Sequence, residues 1–287
     1  MDKNNLINFF LNNTKNTDNL GVGTEHEKFI FLSKEKKRIP FKGDVSINSL
    51  FQFLLTKGWL PGEISDGNII SLSRDGANIT LEPGGQVELS GKIQKNIHET
   101  CAETTAHLEE LKIFIKDNNL CMMGLGFDPI SSMEDIYWIP KKRYNIMRSY
   151  MPQVGSRGLD MMSRTCTVQA NFDYTSESDL VKKFVVSNRI QSFVIAMFCN
   201  SPFREMKHNG YLSNRVLTWS DTDIDRCGIK EIFINKNFSI EEYVDFALDV
   251  PNYFLEIDNN YVDTTKYSFN QILKRQTNNK LIDNHDL

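Results

Sequence analysis

The stretch GTEHEKFIFL, residues 23–32, places two glutamates around a histidine and then continues into apolar residues. Side chains alternate between the two faces of a β-strand. As a strand, this stretch would point Glu25 and Glu27 to the same face as Phe29 and Phe31. The pattern therefore predicts a strand whose core-facing side ends in two neighbouring carboxylates, with His26 on the opposite face in a packing role.

Apolar spacing and turn residues predict further helices and short strands that do not alternate regularly along the chain. The predicted helices cover residues 4–13, 47–58, 96–118, 141–151, 176–199 and 239–251. The predicted strands cover residues 22–32, a meander over 67–91, then 121–129, 164–174 and a last hairpin over 252–265. We therefore predict an α+β fold, in which helices pack on one face of an antiparallel sheet. The apolar run FVIAMFC, residues 193–199, is interpreted as a buried helix end.

Composition limits the function classes. The chain has 287 residues, of which 40% are hydrophobic, and its net charge of −4 does not indicate a broad nucleic-acid-binding surface. No run approaches the roughly 20 apolar residues that span a bilayer, and the start lacks the pattern of a signal peptide. Five cysteines without a CxxC pair are interpreted as reduced thiols. These features predict one cytoplasmic domain over residues 1–287.

Polar residues follow the predicted strands in a pattern unlike an ordinary solvated face. Glu82 and Glu88 flank the turn PGGQ, and Gln169 and Asn171 lie on the polar side of the strand over 164–174. Carboxylates that converge repel each other, and Mg²⁺ relieves this because it prefers oxygen ligands. The alternative is that each glutamate sits at a strand end and pairs with a lysine such as Lys28 or Lys92.

Arginines form the second candidate group. Arg143 and Arg148 are five residues apart, which is ~140° around a helix, so at most one of them faces a shared pocket. Arg164 opens the polar-faced strand, and Arg215 precedes Trp219 in an irregular stretch. The arginine fork matches carboxylate and phosphate groups. Surface charge networks are the alternative for each arginine.

At this point the sequence resembles glutamate–cysteine ligases of the plant and proteobacterial type. The motifs that carry the resemblance run in order along nearly the whole chain: GTEHEKF, ITLEPGGQVELSG, HETCAETTAHL, LGFDP, RYNIMRSYMPQVG, GLDMMSRTCTVQANFD, NSPF, NGYLSNRVLTWSDTDIDRCG and YVDFALDVPNYF. The resemblance implies a glutamine-synthetase-like fold whose antiparallel sheet curves into a bowl, with helices on its outer face. It also implies an ATP-dependent reaction that joins the glutamate side-chain carboxylate to the cysteine amine, the first step toward glutathione.

Residue roles follow from the resemblance. Glu25, Glu27, Glu82 and Glu88 match acidic metal-binding positions, which implies Mg²⁺ as cofactor and ATP as co-substrate. Further roles are implied for substrate-binding, catalytic and nucleotide-binding residues, namely Arg143, Arg215 and Trp219 for glutamate, Arg164 and Arg215 in catalysis, and Gln169 and Asn171 beside the nucleotide.

Members of this family continue past the region that resembles FNQIL, so the resemblance also implies a C-terminal segment that this sequence lacks. Either the sequence is truncated, a second chain supplies the segment, or the protein is a shortened form. Two functional alternatives remain open: a non-catalytic Mg·ATP-binding fragment, and a γ-glutamyl ligase that uses a different amine acceptor. Nucleic acid and membrane are not predicted as partners.

Overall fold

The computed structural model describes residues 3–258 and 260–277. The helices are α1 (Lys3–Asn12), α2 (Ile47–Leu55), α3 (Ile97–Asp117), α4 (Lys142–Val154), α5 (Gly158–Arg164), α6 (Glu177–Phe198), α7 (Asn214–Ser220), α8 (Glu231–Ile234), α9 (Ile240–Asp249) and α10 (Phe269–Thr277). The strands are β1 (Val22–Leu32), β2 (Leu60–Pro61), β3 (Ile64–Ser65), β4 (Asn68–Ile69), β5 (Ser71–Arg74), β6 (Ala77–Leu81), β7 (Val87–Ser90), β8 (Leu120–Met123), β9 (Val168–Phe172), β10 (Phe203–Arg204), β11 (Lys207–His208), β12 (Phe254–Ile257) and β13 (Asn260–Asp263).

The main sheet is antiparallel and open. Its strands run in the order β2-β5-β6-β7-β1-β8, and β9 also pairs with β1. Strand β1 therefore has β9 and β7 as neighbours along its first half and β8 along its second half. The prediction of an α+β fold with an antiparallel sheet and packed helices is confirmed.

One face of this sheet is covered by α2 and α3. Side chains from β6 and β7, such as Ile79 and Leu89, pack with Leu54 of α2 and Leu111 of α3 in one apolar cluster. Helix α2 begins where predicted, because the Ser46 side chain accepts a hydrogen bond from the amide of Ser49 in a capping box. The opposite face of β1 carries Glu25 and Glu27, so the alternation predicted for this strand holds.

The predicted strand near residue 170 was wrong in its extent. It begins at Val168 and not at residue 164, because residues 158–164 form the short helix α5. Neither a capping residue nor apolar residues at helical spacing predicted α5 from the sequence. The apolar side of the strand is exposed, with Val168 at 68% and Phe172 at 64% of full exposure.

The run over residues 193–199 was also wrongly interpreted as buried. The run is helical as predicted, since it forms the end of α6. However, Phe193 and Met197 are 72% and 75% exposed. Helical spacing identifies an apolar face, and burial depends in addition on what packs against that face.

None of the helices in the described part of the chain combines the length and the apolar character needed to cross a bilayer.

A buried histidine makes the stability of this fold depend on pH. His107 of α3 is 3% exposed beside the ring of Trp59, and neither ring nitrogen has a hydrogen-bond partner among the described residues. Burial lowers the pKa of His107 to about 4. A lowered histidine pKa means that protonation opposes folding, so stability is full above pH 6.5 and is lost as the pH falls toward 4.

We expect unfolding by urea at pH 4.5 to require about 2–3 kcal/mol less than at pH 7 through His107 alone. His107→Leu should remove this part of the pH dependence, because leucine cannot be protonated. His98→Leu, at an exposed position of the same helix, is the control and should leave the pH dependence unchanged. Equal pH profiles for His107→Leu and the unmodified chain would contradict the assignment.

Candidate active site

The turn between β6 and β7 brings two of the predicted glutamates together. The amide of Gly85 donates to the carbonyl of Glu82 at 2.8 Å, and Gly85 has a positive φ of 80°. Gly84 packs against α5 so closely that a Cβ atom would lie 2.4 Å from the carbonyl oxygen of Ser163. The glycine pair thus serves a tight turn and a close helix contact, which agrees with the absence of a phosphate-loop motif.

Three carboxyl groups face each other across β1, β7 and this turn. Glu27 lies directly opposite Glu88 in the β1–β7 register. The Glu88 carboxylate also accepts hydrogen bonds from Ser90 at 2.5 Å and Thr80 at 3.3 Å. Glu88 also lies close enough to Glu82 to raise the pKa of the Glu82 carboxyl group. We call these residues, Glu27, Glu82 and Glu88, the carboxyl cluster.

Burial and mutual repulsion raise the pKa of two cluster members. Burial is the largest cause at Glu27, where the charges of Glu82 and Glu88 add to it and raise the pKa to about 8. Burial and Glu88 likewise raise the pKa of Glu82 to about 7. Near neutral pH the cluster therefore holds protons that a divalent cation would displace.

Cations flank the carboxyl cluster on two sides. Arg215 acts on Glu27, whereas Lys141 and Arg143 act on Glu82, and each lowers the pKa of its neighbour. The Arg215 guanidinium lies 5.5 Å from the ring centre of Trp219, and its Nε is buried without a hydrogen-bond partner among the described atoms. Arg143 and Arg215 thus lie near the cluster, as their assignment requires, and Trp219 accompanies Arg215.

Glu25 belongs to a neighbouring hydrogen-bonded set. Asn171 of β9 donates to the Glu25 carboxylate at 2.9 Å, and Gln169 donates to Asn171 at 3.2 Å. The antiparallel register places Glu25 opposite Gln169. The two predicted nucleotide-binding amides therefore share a strand face with Glu25, next to the carboxyl cluster.

The lysine-pairing alternative for the glutamates does not describe the structure. Lys28 donates to the main-chain oxygen of Glu27 at 2.9 Å. Among the described residues, no ion pair within 4.0 Å involves Glu25, Glu27, Glu82 or Glu88. When the cluster ionises, its negative charge is therefore not neutralised by a direct ion pair with a described lysine or arginine.

Arg164 lies apart from this group. It is fully buried, its guanidinium forms ion pairs with Asp160 at 3.0 Å and Glu205 at 3.1 Å, and it stacks on Phe127. These contacts connect α5 to the β10–β11 hairpin. The structure therefore does not bring Arg164 to the glutamates, because the residue ends a helix and does not open the strand.

A cavity of about 520 Å³ opens beside Glu27. Arg215, Val168 and the end of α6 line it together with the segment around Gly126. A Cβ atom on Gly126 would lie 2.9 Å from the Asn200 side-chain oxygen, so a larger residue would have to displace that side chain. The cavity gives a substrate access to a carboxylate and a guanidinium at the same wall.

The donor set suits a hard cation, although its present geometry is not that of a complete metal site. Carboxylate oxygens are the usual protein ligands of Mg²⁺. Within residues 3–258 and 260–277, no group of three or more His, Cys, Asp or Glu side chains is arranged to hold a metal ion. Coordination would require the protons held near neutral pH by Glu27 and Glu82 to leave.

Sequence reasoning missed two residues of this region. Lys141 is 6% exposed and acts on Glu82, although a lysine before a helix is ordinarily solvated. Asn200 accepts a hydrogen bond from the amide of Gly126 at 2.9 Å and so fixes the cavity wall. The sequence could have indicated both residues, because Asn200 begins the motif NSPF and Lys141 lies just before the motif RYNIMRSYMPQVG.

The sequence of this chain is similar to known proteins over most of its length. A family model described as glutamate–cysteine ligase family 2 (GCS2) matches residues 21–282. Chloroplastic glutamate–cysteine ligase A of Oryza sativa subsp. indica is 42% identical over 273 residues, which are 95% of this chain and 55% of that protein. The chloroplastic ligase of Arabidopsis thaliana is 43% identical over 93% of this chain and 51% of its own length. The chloroplastic ligase of Brassica juncea is 44% identical over 93% of this chain and 52% of its own length.

Two consequences concern extent and location. The chain spans about half the length of the curated relatives it matches. The prediction of a cytoplasmic location was wrong, because these relatives are named chloroplastic ligases. The match over residues 21–282 covers most of the sequence, and the chain belongs to glutamate–cysteine ligase family 2.

Proposed function

We propose that this chain forms the carboxylate-bearing part of a ligase that joins the side-chain carboxylate of glutamate to the amine of cysteine, with ATP as co-substrate. The single observation that carries the proposal is the buried carboxyl cluster with cations on both sides, in a chain of this family. Proteins catalyse phosphoryl transfer mainly by positioning the reactants and neutralising charge, and they contribute little covalent chemistry. The site offers both.

Glu27, Glu82 and Glu88 are proposed to hold Mg²⁺, with Glu25 as a further ligand or as the residue that orients the neighbouring amides. A bound Mg²⁺ would neutralise the phosphate charge that develops during transfer. Glu27 and Glu82 of this chain hold protons near neutral pH, and they release these protons when the cation binds. Gln169 and Asn171 are proposed to contact the nucleotide from β9.

Arg215 and Arg143 are proposed to bind glutamate, with Trp219 beside Arg215. The glutamate side-chain carboxylate attacks the terminal phosphorus of ATP, which forms an acyl phosphate and releases ADP. The cysteine amine then attacks the acyl carbon, so that the amide bond forms, phosphate leaves with the acyl oxygen and the amine loses a proton. Arg215, with its unpaired buried Nε, is placed to hold negative charge at the cavity wall.

Residues 1–287 are proposed to act as one catalytic domain together with the part of the ligase that the relatives have in addition. That part either continues the same polypeptide or is a second chain. The exposed apolar end of α6 favours a second candidate function for the chain by itself, an incomplete domain that binds Mg·ATP without turnover.

The test is product formation from ATP, Mg²⁺, glutamate and cysteine. We compare this chain with a hybrid in which it replaces the matched 269-residue segment of the Brassica juncea ligase. γ-Glutamylcysteine and ADP in equal amounts from the hybrid support the ligase. Binding of Mg·ATP without product, by both proteins, supports the incomplete domain. A dipeptide formed with another amine and not with cysteine would show that the ligase uses an acceptor other than cysteine.

Magnesium should stabilise the chain more at high pH than at low pH. A carboxyl group whose pKa is raised on folding stabilises the fold most below its unfolded pKa near 4.5, and that stability is lost as the pH rises through 7 and 8. Mg²⁺ reverses this loss because it favours the ionised cluster.

We expect the rise in melting temperature caused by Mg²⁺ to be larger at pH 8.5 than at pH 6 by about 2–4 °C, which corresponds to about 1 kcal/mol for a chain of this size. NaCl of equal ionic strength is the control and should give no such difference. A rise that is the same at both pH values would argue against proton displacement at Glu27 and Glu82.

A further inference from the structure

Helix α6 is anchored at one end and unpartnered at the other. Near its start, Phe184 packs against Phe233 and Phe238 with ring centres 5.1 and 5.0 Å apart. Val185 is the one fully buried side chain among the residues of α6. After Val185 the helix continues for thirteen residues whose side chains are almost all exposed.

The exposed half of α6 carries an apolar stripe at helical spacing. Relative to the first member, the others follow at positions +4, +7, +8 and +11, which place them on one face. The stripe consists of Val186, Ile190, Phe193, Val194 and Met197. A helix face of this kind is normally buried, since contiguous exposed apolar surface of this extent marks an interaction site.

The stripe is continuous with the cavity of the candidate site. Val194 and Phe198 of α6 line that cavity together with the exposed Val168 of β9. Glu27 and Arg215 form part of the same cavity wall. We call the stripe with Phe198 and Val168 the α6 face. A polypeptide that covers the α6 face also closes one side of the candidate site.

We propose that the α6 face is the docking surface for the other half of the ligase. The inference rests on the proposed function. Its occupant is inferred from length: the relatives are about twice as long as the segment they share with this chain, so they contain a further half of similar size. We infer that this further half packs against the α6 face. An apolar face that borders the site is where such a half would both bury hydrophobic surface and complete the substrate pocket.

A second copy of this chain is the competing occupant. It would bury the same stripe, and it would present a second identical set of carboxyl groups toward the cavity. Association with the remaining half adds groups of other kinds at the site, whereas association with a copy only repeats the groups already there. The experiment separates these outcomes by mass and by concentration dependence.

The test measures side-chain accessibility by hydroxyl-radical oxidation of Phe193 and Met197. We compare the chain alone with the Brassica juncea hybrid described above. Oxidation of both residues should fall about fivefold or more in the hybrid, because interface cores exclude water. Phe9 on α1, which is also exposed, is the internal reference and should react equally in both proteins. Equal oxidation of Phe193 and Met197 in the two proteins would overturn the proposal.

Paired substitutions give a second, independent readout. Phe193→Glu with Met197→Glu should leave the melting temperature of the isolated chain nearly unchanged and lower that of the hybrid. Ile113→Glu on α3, a partly exposed position away from the α6 face, is the matched control and should act equally in both. Equal effects of the double substitution in the two proteins would refute the docking assignment.

Two further outcomes are decisive. If the hybrid does not fold, acidic residues are placed at the aligned positions of the intact Brassica juncea ligase, where unchanged stability would again refute the proposal. If the isolated chain forms a dimer and its α6 face becomes protected as concentration rises, the second copy is the occupant and the proposal fails. If the α6 face is protected from oxidation in the hybrid but the hybrid makes no dipeptide, the docking proposal stands and the proposed ligase function fails.

Discussion

Glu27→Gln is expected to abolish magnesium-dependent turnover while it stabilises the magnesium-free protein. Glutamine keeps the size of the side chain and can still accept the hydrogen bond from the Thr167 amide, 3.2 Å away in the structure. It removes the charge that would bind the cation. Because loss of residues that merely support a metal ligand costs 10–100-fold in affinity, we expect Mg²⁺ affinity to fall about 100-fold or more.

The stability change in this variant has the opposite sign from the change in activity. Burial and the neighbouring glutamates raise the pKa of Glu27 to about 8, so its ionised form opposes folding. A neutral glutamine removes this cost, and the melting temperature of the magnesium-free protein at pH 8.5 should rise. Glu25→Gln should likewise abolish turnover and leave the fold largely intact, since Glu25 lies on the partly solvated β9 side of the site.

Calorimetric titration with Mg²⁺ and ligase assays on the hybrid check these expectations. Glu35→Gln, in an exposed turn after β1, is the control and should leave Mg²⁺ affinity unchanged. If Glu27→Gln binds Mg²⁺ as tightly as the unmodified chain, the carboxyl cluster is not the metal site.

Local pattern was enough to predict which polar side chains share a face within each strand. Alternation along β1 places Glu25 and Glu27 on one face, and the EPGGQ turn joins β6 to β7, where Glu88 lies opposite Thr80. A short turn of this kind limits the register of the two strands that it joins. Pairing of β1 with β7 and β9, which are distant in sequence, gathers the polar side chains, and local pattern does not predict that pairing.

Burial was predictable only where the packing partner was local. The same apolar periodicity occurs in α2, which is buried under the sheet, and in the second half of α6, which is exposed. Helical spacing shows which face of each helix is apolar, but burial also depends on a surface that is distant in sequence.

Arg164→Met is expected to cost about 3–5 kcal/mol in the free energy of unfolding, which is the usual loss when one partner of a buried ion pair is removed. Arg164 lies between two acidic residues, Asp160 at 3.0 Å and Glu205 at 3.1 Å, and its main-chain oxygen accepts from the Asp128 amide at 2.8 Å. Methionine fills the space on Phe127 but leaves the buried Asp160 with fewer partners.

Arg204→Met is the matched control, because Arg204 pairs with the same two acids, at 3.1 Å to Asp160 and 3.4 Å to Glu205, from a partly solvated position. Surface ion pairs contribute about 0–1 kcal/mol, so this variant should lose far less. Urea unfolding at pH 7 gives both values. The family resemblance implied a catalytic role for Arg164, and that role has a distinct signature: turnover in the hybrid would fall while the unfolding free energy stayed unchanged. Because the guanidinium is fully buried in ion pairs and faces neither Glu27 nor the cavity, we expect the opposite, a large loss of stability with whatever activity remains tracking the folded fraction.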